Sequence, residues 1–180
     1  LFSLNSTSLS VRAGEIFGIA GVSGNGQTAL ADVLCGMQAL DGGSLTIDGH
    51  SVAPHPRAFS ALRVARIPED RHHMGVVGEL TVWENSILER YHTRDFSILG
   101  WLRRGKAKHF TRAITEAFDV RGLQDQGLNT TTRALSGGNM QKLILGRALS
   151  GSAHAPSLII ANQPTWGLDV GALAFVHQQL

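Results

Sequence analysis

The sequence has 180 residues, of which 43% are hydrophobic and 17% charged, proportions typical of a soluble globular protein with one domain. Sixteen Lys and Arg residues against fourteen Asp and Glu residues give a net charge of +2, which argues against a nucleic-acid partner. The one cysteine, Cys35, cannot form an internal disulfide or a cysteine-based zinc site, so a reducing compartment is expected. No apolar run approaches the roughly 18 residues of a membrane span, so we predict no direct span and expect any membrane contact to go through a partner.

Both ends of the sequence have the pattern of an interrupted element. The first residue is Leu1 rather than Met, and residues 8–11 alternate as in a strand. Residues 171–180 have helical spacing and no terminating glycine. We therefore expect this sequence to be a piece of a longer chain.

The first part of the chain predicts short strands around one helix. Residues 15–20 (EIFGIA) form an apolar run typical of a strand, and residues 28–37 have helical spacing. Residues 44–47 lie between two Asp-Gly turns, and residues 63–68 form another short apolar run. The order strand, glycine loop, helix is therefore predicted, followed by two further strands.

Helices dominate the remainder. A capping box at Thr81 predicts a helix that reaches about Arg90, and residues 106–118 predict a second, amphipathic helix. Ser136 caps a third helix that runs through Leu149. Consecutive apolar residues in the stretch 157–162 (SLIIAN) are typical of a buried strand. Strands separated by helices predict an α/β protein with a helical insertion.

The loop at residues 21–28, GVSGNGQT, has the spacing of a phosphate-binding loop, with Gln27 at the position usually occupied by lysine. Glycines allow consecutive backbone N–H groups and a helix N-terminus to point at phosphate oxygens. An amide at position 27 can donate a hydrogen bond but cannot neutralise phosphate charge. A simple glycine turn between a strand and a helix remains the alternative.

A second candidate anion site lies in residues 135–142, LSGGNMQK. Ser136 and the two following glycines leave a hydroxyl and unpaired N–H groups at the positive end of a helix. The alternative is an ordinary serine cap. This motif resembles the signature motif of the ATP-binding cassette (ABC) ATPases, which also carry a phosphate loop upstream in the same chain.

Two further segments extend the resemblance. Residues 158–169, LIIANQPTWGLD, resemble the Walker B strand and D-loop of ABC ATPases, with Asn162 and Gln163 where the family has Asp and Glu. Glu69 stands where the family has the glutamine of its Q-loop. Without the resemblance, residues 158–169 would be interpreted as a buried edge strand with a Pro-Thr turn, and the segment around Glu69 as a solvated charged turn.

The resemblance implies the fold and its division. It implies an α/β, P-loop NTPase-like ABC cassette core with a mainly parallel sheet, antiparallel N-terminal strands and a helical subdomain. Residues 1–70 would be the first part of the ATP-binding core with its phosphate loop. Residues 71–150 would be the helical subdomain with the signature motif, and residues 151–180 the return to the core.

The resemblance also implies the site residues and the ligands, ATP and Mg²⁺. Gln163 would occupy the position of the catalytic glutamate, Glu69 that of the Q-loop glutamine, and Asp169 the D-loop. Thr28 and Asn162 would occupy the positions of the metal ligands. The phosphate loop would contribute Gly21, Ser23, Gly24, Asn25, Gly26, Gln27, Thr28 and Ala29. The signature would offer Ser136, Gly137, Gly138 and Gln141 to the ATP of a partner cassette.

The pattern of substitutions resembles the second, degenerate cassette of bacterial importers for nucleosides or simple sugars. That resemblance implies a second cassette on the same polypeptide, membrane-spanning permease subunits as partners, and a peripheral location on the cytoplasmic face of the membrane. A non-hydrolytic structural or regulatory cassette, and an ABC-type ATPase outside transport, are the alternatives.

Other candidate residues have simpler interpretations. The adjacent pair His72 and His73 is interpreted as a solvated loop, and His177 as part of a helix surface. Trp101 and the basic residues after it could contact lipid or a membrane subunit, or form a plain cationic surface. Cys35 is interpreted as a small buried hydrophobic residue.

Overall fold

The computed structural model describes residues 7–22, 24–53, 55–123, 125–150 and 155–180. The chain divides into two compact units, Leu1–Val64 and Ala65–Leu180.

Among its described residues, the first unit contains two helices and a hairpin. Helix α1 spans Gln27–Leu34, strands β1 (Thr46–Ile47) and β2 (His50–Ser51) form an antiparallel hairpin, and helix α2 spans Pro56–Ala61. Asp48 and Gly49 have φ angles of 51° and 77°, as the Asp-Gly turn of a two-residue hairpin requires. The buried apolar residues in the described ranges of this unit are Cys35, Ile47, Val52 and Phe59.

Residues 15–20 do not form the predicted strand. They are exposed, and Ile16 retains 91% of its accessible surface. No described segment of this unit forms a ladder with them, and residues 8–11 are likewise not a strand. An apolar run becomes a strand only where a neighbour satisfies its N–H and C=O groups, so the sequence pattern alone was insufficient here.

The second unit contains four helices and four strands among its described residues. In chain order these are β3 (Val64–Ile67, with Val64 the last residue of the first unit), α3 (Val82–Ile87), β4 (Ser97–Ile98), β5 (Trp101–Leu102), α4 (Arg104–Ala117), α5 (Gly137–Leu149), β6 (Leu158–Ala161) and α6 (Val170–Gln179). Strand β3 pairs with β6, and β4 pairs antiparallel with β5. A turn of π-helix, Arg71–Gly75, follows β3, and short 3₁₀ turns occupy Gly127–Asn129 and Thr132–Ala134.

The predicted helices of this unit are confirmed, with small shifts at their ends. Thr81 and Glu84 form the capping box that begins α3. The hydrogen bond from the Thr81 hydroxyl, together with that from its N–H, holds the pKa of Glu84 below its ordinary value. Helix α3 ends at Ile87 rather than near Arg90, and the Arg90 guanidinium donates to the carbonyls of Arg147 (3.0 Å) and Ser150 (2.6 Å). Arg90 therefore satisfies carbonyls at the end of α5.

Helix α5 lies at the centre of the core. It contacts α3, α4 and α6. Removing each large apolar side chain of its buried face from water stabilises the fold by about 1.5 to 3 kcal/mol. The large buried residues are Met140, Leu143, Ile144 and Leu145, and the small Ala148 is also buried. A Cβ at Gly146 would lie 2.4 Å from Ile114 Cγ2, so α4 approaches α5 more closely than a side chain at that position would allow.

Two buried polar side chains tie loops to this core. Arg147, only 3% exposed, donates to the Gly75 carbonyl at 2.8 Å and the Asn85 carbonyl at 3.2 Å, and it pairs with Glu89 at 3.0 Å. The Asn85 amide accepts from Val77 N–H and donates to Val77 O, both at 2.9 Å. The segment that follows the π-helical turn is therefore fixed against α3 and α5.

Strand β6 is less buried than its sequence suggests. Its residues alternate between half-buried and exposed, and Ile159 is 39% exposed. Among the described residues it pairs with one strand, β3. A strand with a single neighbour exposes more of its apolar run than a strand inside a wider sheet.

Candidate functional site

The phosphate-loop segment leads directly into α1. Gly24 and Gly26 have φ angles of 87° and 96°, in the left-handed region that glycine adopts readily. Gly26 is the N-cap of α1 and has no side chain to satisfy the first N–H groups of the helix. Asn25, Thr28 and Ala29 lie in the described part of this loop and helix, whereas Ser23 lies outside the described residues. The arrangement leaves backbone donors at a helix N-terminus, as an anion site requires.

Gln27 folds back over its own loop. Its Nε2 donates to the Val22 carbonyl at 3.0 Å. The same Nε2 would lie 2.4 Å from a Cβ at Gly21, so a side chain at position 21 would require the Gln27 amide to move. The amide therefore closes the loop on itself with a neutral hydrogen bond, and it brings no positive charge toward a phosphate.

The signature segment forms a capped helix start in the second unit. The exposed Ser136 is the N-cap of α5, and its Oγ accepts from Asn139 N–H at 3.4 Å and from Asn139 Nδ2 at 2.9 Å. Asn139 Oδ1 accepts in turn from the Arg121 N–H at 2.8 Å. Asn139, for which no role was predicted, thus orients the serine hydroxyl. Its place inside the LSGGN string was the signal that could have identified it.

A cavity of about 500 Å³ opens beside Ser136. Asp119 pairs with two cations there: its carboxylate accepts a hydrogen bond from Arg121 Nε at 2.8 Å and another from Lys142 Nζ at 2.9 Å. The hydrogen bond from Arg121 and then that from Lys142 hold the pKa of Asp119 below its ordinary value. The cavity lining therefore combines the Ser136 side chain with two cations, Arg121 and Lys142, and two carboxylates, Asp119 and Asp169. The lining also includes Gly138, Asn139, Gly171, Ala172, Ala174, Phe175 and Gln178.

Arg71 links the signature to the segment that follows β6. Its guanidinium donates to the carbonyls of Trp166 at 2.6 Å and Gly167 at 3.3 Å. A Cβ at Gly137 would lie 3.1 Å from Arg71 Nη2, so the first residue of α5 packs directly on the guanidinium. At Arg71 the sequence predicts only a charged turn. Its position two residues after Glu69 gave no indication of contacts 95 residues away.

The D-loop segment is fixed at both of its ends. Asp169 caps α6 by accepting from Ala172 N–H at 2.9 Å, and a Cβ at Gly138 would lie 3.5 Å from Asp169 Oδ2. Gln141 is only 2% exposed, and its Nε2 donates to the Pro164 carbonyl at 2.8 Å. Its amide thus holds the D-loop segment against α5 from within the unit.

The three substituted positions of the second unit meet at the end of β6. Gln163 Nε2 donates to Glu69 Oε1 at 2.8 Å, and Asn162 Nδ2 reaches Glu69 Oε2 at 3.4 Å. The ladder between the segments continues to this point, since Asn162 N–H donates to Ile67 O at 2.9 Å. Gln163 itself has a φ of 45°, a left-handed conformation that is uncommon for residues other than glycine.

This donor set restricts how Mg²⁺ could be held. Mg²⁺ in nucleotide sites is bound by one or two protein carboxylates together with phosphates and waters. At the end of β6, Glu69 is the carboxylate in the cluster, and Asn162 contributes a neutral amide. No group of three His, Cys, Asp or Glu side chains suited to a metal ion occurs in the described ranges. The residues fit a phosphate-bound Mg²⁺ that takes a single carboxylate from this unit.

The histidines and the cysteine singled out in the sequence have the simple surroundings predicted for them. His72 and His73 are exposed, and their backbone N–H groups donate to Asp70 Oδ1 at 2.9 and 3.0 Å. The N–H of His73, the larger effect, and that of His72 hold the pKa of Asp70 below its ordinary value. His177 is exposed on α6 and Cys35 is buried, as predicted. Within the part of the chain that the structure describes, no helix is long and apolar enough to cross a membrane.

Comparison with known proteins establishes the family. The ABC transporter family matches residues 4–165, and the chain belongs to this family. It is 43% identical over 174 residues to the guanosine import ATP-binding protein NupO of Bacillus subtilis, covering 96% of this chain and 33% of that protein. It is 42% identical over 179 residues to the glucose import ATP-binding protein TsgD13 of Haloferax volcanii, covering 99% of this chain and 32% of that protein. The chain therefore spans about a third of the length of these relatives.

The fold is shown independently by a solved structure. A dimeric, post-hydrolysis form of the ATP-binding cassette MJ0796 bound to ADP and Pi superposes with a TM-score of 0.72 at 21% identity, covering 95% of this chain and 70% of that one. The ABC cassette fold predicted from the sequence is confirmed by this likeness.

Proposed function

We propose that this chain is part of the ATP-binding component of an ABC importer that energises the uptake of nucleosides or simple sugars. The relatives named for guanosine import and glucose import support this substrate range. In this proposal the chain acts peripherally, on the cytoplasmic face of the membrane, together with permease subunits and a second cassette on the same polypeptide. Its ligand is ATP with Mg²⁺.

The observation that carries the proposal is a difference between two motif regions of the second unit, the N-terminus of α5 and the end of β6. The N-terminus of α5 keeps the serine hydroxyl and two glycines in the first turn of the helix. The end of β6 has amides in place of the family's two carboxylates. We infer that Ser136, Gly137 and Gly138 serve the ATP of the partner cassette, while the cassette's own site binds nucleotide with little hydrolysis.

Each group then has a limited chemical task. The Ser136 hydroxyl and the N–H groups at the start of α5 would stabilise negative charge on the partner's terminal phosphate. Asn139 would keep the hydroxyl oriented, and Arg71 would hold the D-loop segment beside Gly137. Mg²⁺ would neutralise phosphate charge when bound. Gln163 cannot accept a proton from water as a glutamate can, so the own site lacks a base at that position.

The test uses the complete transporter reconstituted in vesicles. We expect Ser136→Arg to fill the anion site and reduce ATP turnover and uptake on the order of 100-fold, as loss of a preorganised anion-stabilising group does. Ser136→Thr keeps the hydroxyl and is the matched control. Gln27→Ala should retain activity within roughly tenfold, because a neutral hydrogen bond contributes only about 0.5 to 1.5 kcal/mol.

The outcomes separate the alternatives. Normal turnover in Ser136→Arg with abolished turnover in Gln27→Ala would reverse the assignment of the two sites. Wild-type turnover and uptake that neither substitution changes would favour a structural or regulatory cassette. Uptake assays with labelled guanosine and labelled glucose decide between the two solute classes.

A further inference from the structure

The hairpin formed by β4 and β5 presents large apolar side chains to solvent. Leu99 is 95% exposed and Trp101 is 81% exposed, and the cross-strand partner of Trp101, Ile98, is also exposed. No charged residue interrupts residues 97–102 (SILGWL). A contiguous exposed apolar patch of this kind marks an interaction site.

The turn of this hairpin is not explained by the stability of the fold. Leu99 and Gly100 have φ angles of 51° and 83°, in the left-handed region, where a bulky residue with a Cβ is strained. The β1–β2 hairpin has the same turn with Asp48 at the position of Leu99, as is typical of two-residue hairpins. Leu99 therefore strains the backbone while its side chain remains in solvent, and such strain is characteristic of functional positions.

The base of the hairpin is fixed to the core of the second unit. Phe96 is buried, and its ring lies 5.2 Å from the ring of Phe110, measured between centroids. Arg103 N–H donates to the Phe96 carbonyl at 2.8 Å and so continues the pairing of the two strands. The exposed tip therefore projects from a fixed base.

The positive charge of the chain is concentrated beside this tip. Residues 94–106 contain four Lys and Arg residues and one Asp, a net charge of +3. The rest of the chain contains twelve Lys and Arg residues and thirteen Asp and Glu residues, a net charge of −1. Arg94, Arg104 and Lys106 are exposed. An apolar tip flanked by cations complements a surface that has anionic headgroups over an apolar interior.

We propose that the β4–β5 hairpin contacts the lipid bilayer directly, with Leu99 and Trp101 in the headgroup boundary and the flanking cations on anionic headgroups. Tryptophan favours this boundary because its ring is apolar and its N–H remains hydrogen-bonded. A two-residue turn is narrow and convex, a shape that a fluid boundary accepts without a matching groove. The proposed function brings the chain to the membrane through permease subunits, and the hairpin adds a contact with the lipid itself.

The experiment measures binding of the full-length protein to vesicles by flotation, without permease subunits or nucleotide. One set of vesicles contains equal parts of phosphatidylcholine and phosphatidylglycerol, and the other contains phosphatidylcholine alone. Because neither set contains a permease, the result does not depend on whether the protein energises import.

The first variant combines Leu99→Asn with Trp101→Thr and removes the apolar tip. It should keep the hairpin, since Asn favours the left-handed turn and Thr favours strands. Met37→Gln combined with Leu40→Gln removes two exposed apolar side chains from the first unit and is the matched control.

The second variant combines Arg104→Gln with Lys106→Gln and removes two cations beside the tip. Its matched control combines Arg12→Gln with Arg57→Gln, which removes two exposed cations from the first unit. The two variants thus separate the apolar part of the contact from the electrostatic part.

We expect the wild type to bind the mixed vesicles at least roughly tenfold more tightly than phosphatidylcholine alone. The tip variant should bind roughly tenfold more weakly with an unchanged or higher melting temperature. Loss of the two cations should weaken binding on the order of 20-fold, because each cation near an anionic surface contributes about fivefold, and both controls should bind within about twofold of the wild type.

Three results would each overturn the inference: no binding to the mixed vesicles, equal binding to both sets of vesicles, or wild-type binding by the tip variant. If the wild type bound no vesicles and the tip variant failed to co-purify with the permease subunits, the hairpin would be a contact for a protein partner instead.

Discussion

The N-terminus of α5 and the end of β6 are two motif regions of one compact unit, and they are supported in different ways. The start of α5 uses small residues, Ser136 and two glycines, on a helix whose other face is buried in the core. The end of β6 uses exposed or half-buried amides, a carboxylate and a left-handed backbone. The first region therefore depends on packing and open backbone donors, and the second on the arrangement of charge.

The largest effect is expected where the packing of α5 is tightest. Gly146→Val would force a side chain into the position where a Cβ already lies 2.4 Å from Ile114 and 3.1 Å from Phe118. We expect a loss of about 3 kcal/mol in the free energy of unfolding, at the upper end of the cost of overpacking. Urea denaturation measures this loss.

Gly105 in α4 offers the matched control, because nothing lies within 4 Å of a Cβ built there. Gly105→Ala should leave stability unchanged or raise it by about 0.5 kcal/mol through helix propensity. If Gly146→Val were as stable as this control, the support of the signature by close packing between α4 and α5 would be refuted.

A smaller effect is expected at the cap itself. Ser136→Ala removes the acceptor for the Asn139 N–H and Nδ2 groups, and loss of such a cap costs about 1 kcal/mol. Ser136→Thr should restore most of the stability, since threonine also caps helices. Equal denaturation midpoints for the alanine variant and the wild type would show that the cap does not stabilise α5.

The sequence predicted those parts of the molecule that depend on local signals. The capping box at Thr81, the cap at Ser136 and the bounds of α5 follow from short-range rules, and the structure confirms them. The family followed from strings of neighbouring residues around the glycine loop and the signature. The strand at residues 15–20 was wrong, because strand formation depends on a partner that no local pattern reveals.

The contacts between distant segments could not be predicted in this way. Arg71 reaches Trp166 across 95 residues, although its position looks like an ordinary polar turn in the sequence. The resemblance assigned Glu69 and Gln163 to one site but did not predict the hydrogen bond between their side chains. Asn85 is fully buried and hydrogen-bonded to Val77 and Thr132, yet nothing in its neighbours indicates burial. Such positions require the tertiary fold before their chemistry can be assigned.

A substitution at the end of β6 should raise the free energy of unfolding, whereas loss of the cap at Ser136 should lower it. Gln163→Gly removes the Cβ that disfavours the left-handed backbone, and it also removes the exposed hydrogen bond to Glu69. Because the strain of a non-glycine residue here costs about 1 kcal/mol or more and an exposed hydrogen bond contributes less, we expect a gain of about 0.5 kcal/mol. A clear loss of stability in urea denaturation would show that the hydrogen bond outweighs the strain.

The smallest expected effect concerns the charge beside the cavity at Ser136. Arg121 and then Lys142 hold the pKa of Asp119 below the ordinary 3.8, so its ionised form is favoured by folding. This contribution is complete above the ordinary pKa and disappears as the pH falls through the lower, folded-state pKa. The stability difference between wild type and Asp119→Asn should therefore be present at neutral pH, shrink in strong acid, and weaken with added salt because the group is exposed.

Asp125→Asn, which removes another exposed carboxylate, is the control. Urea denaturation over this pH range checks the prediction, and a difference that grows on acidification would contradict the sign derived from the contacts of Asp119.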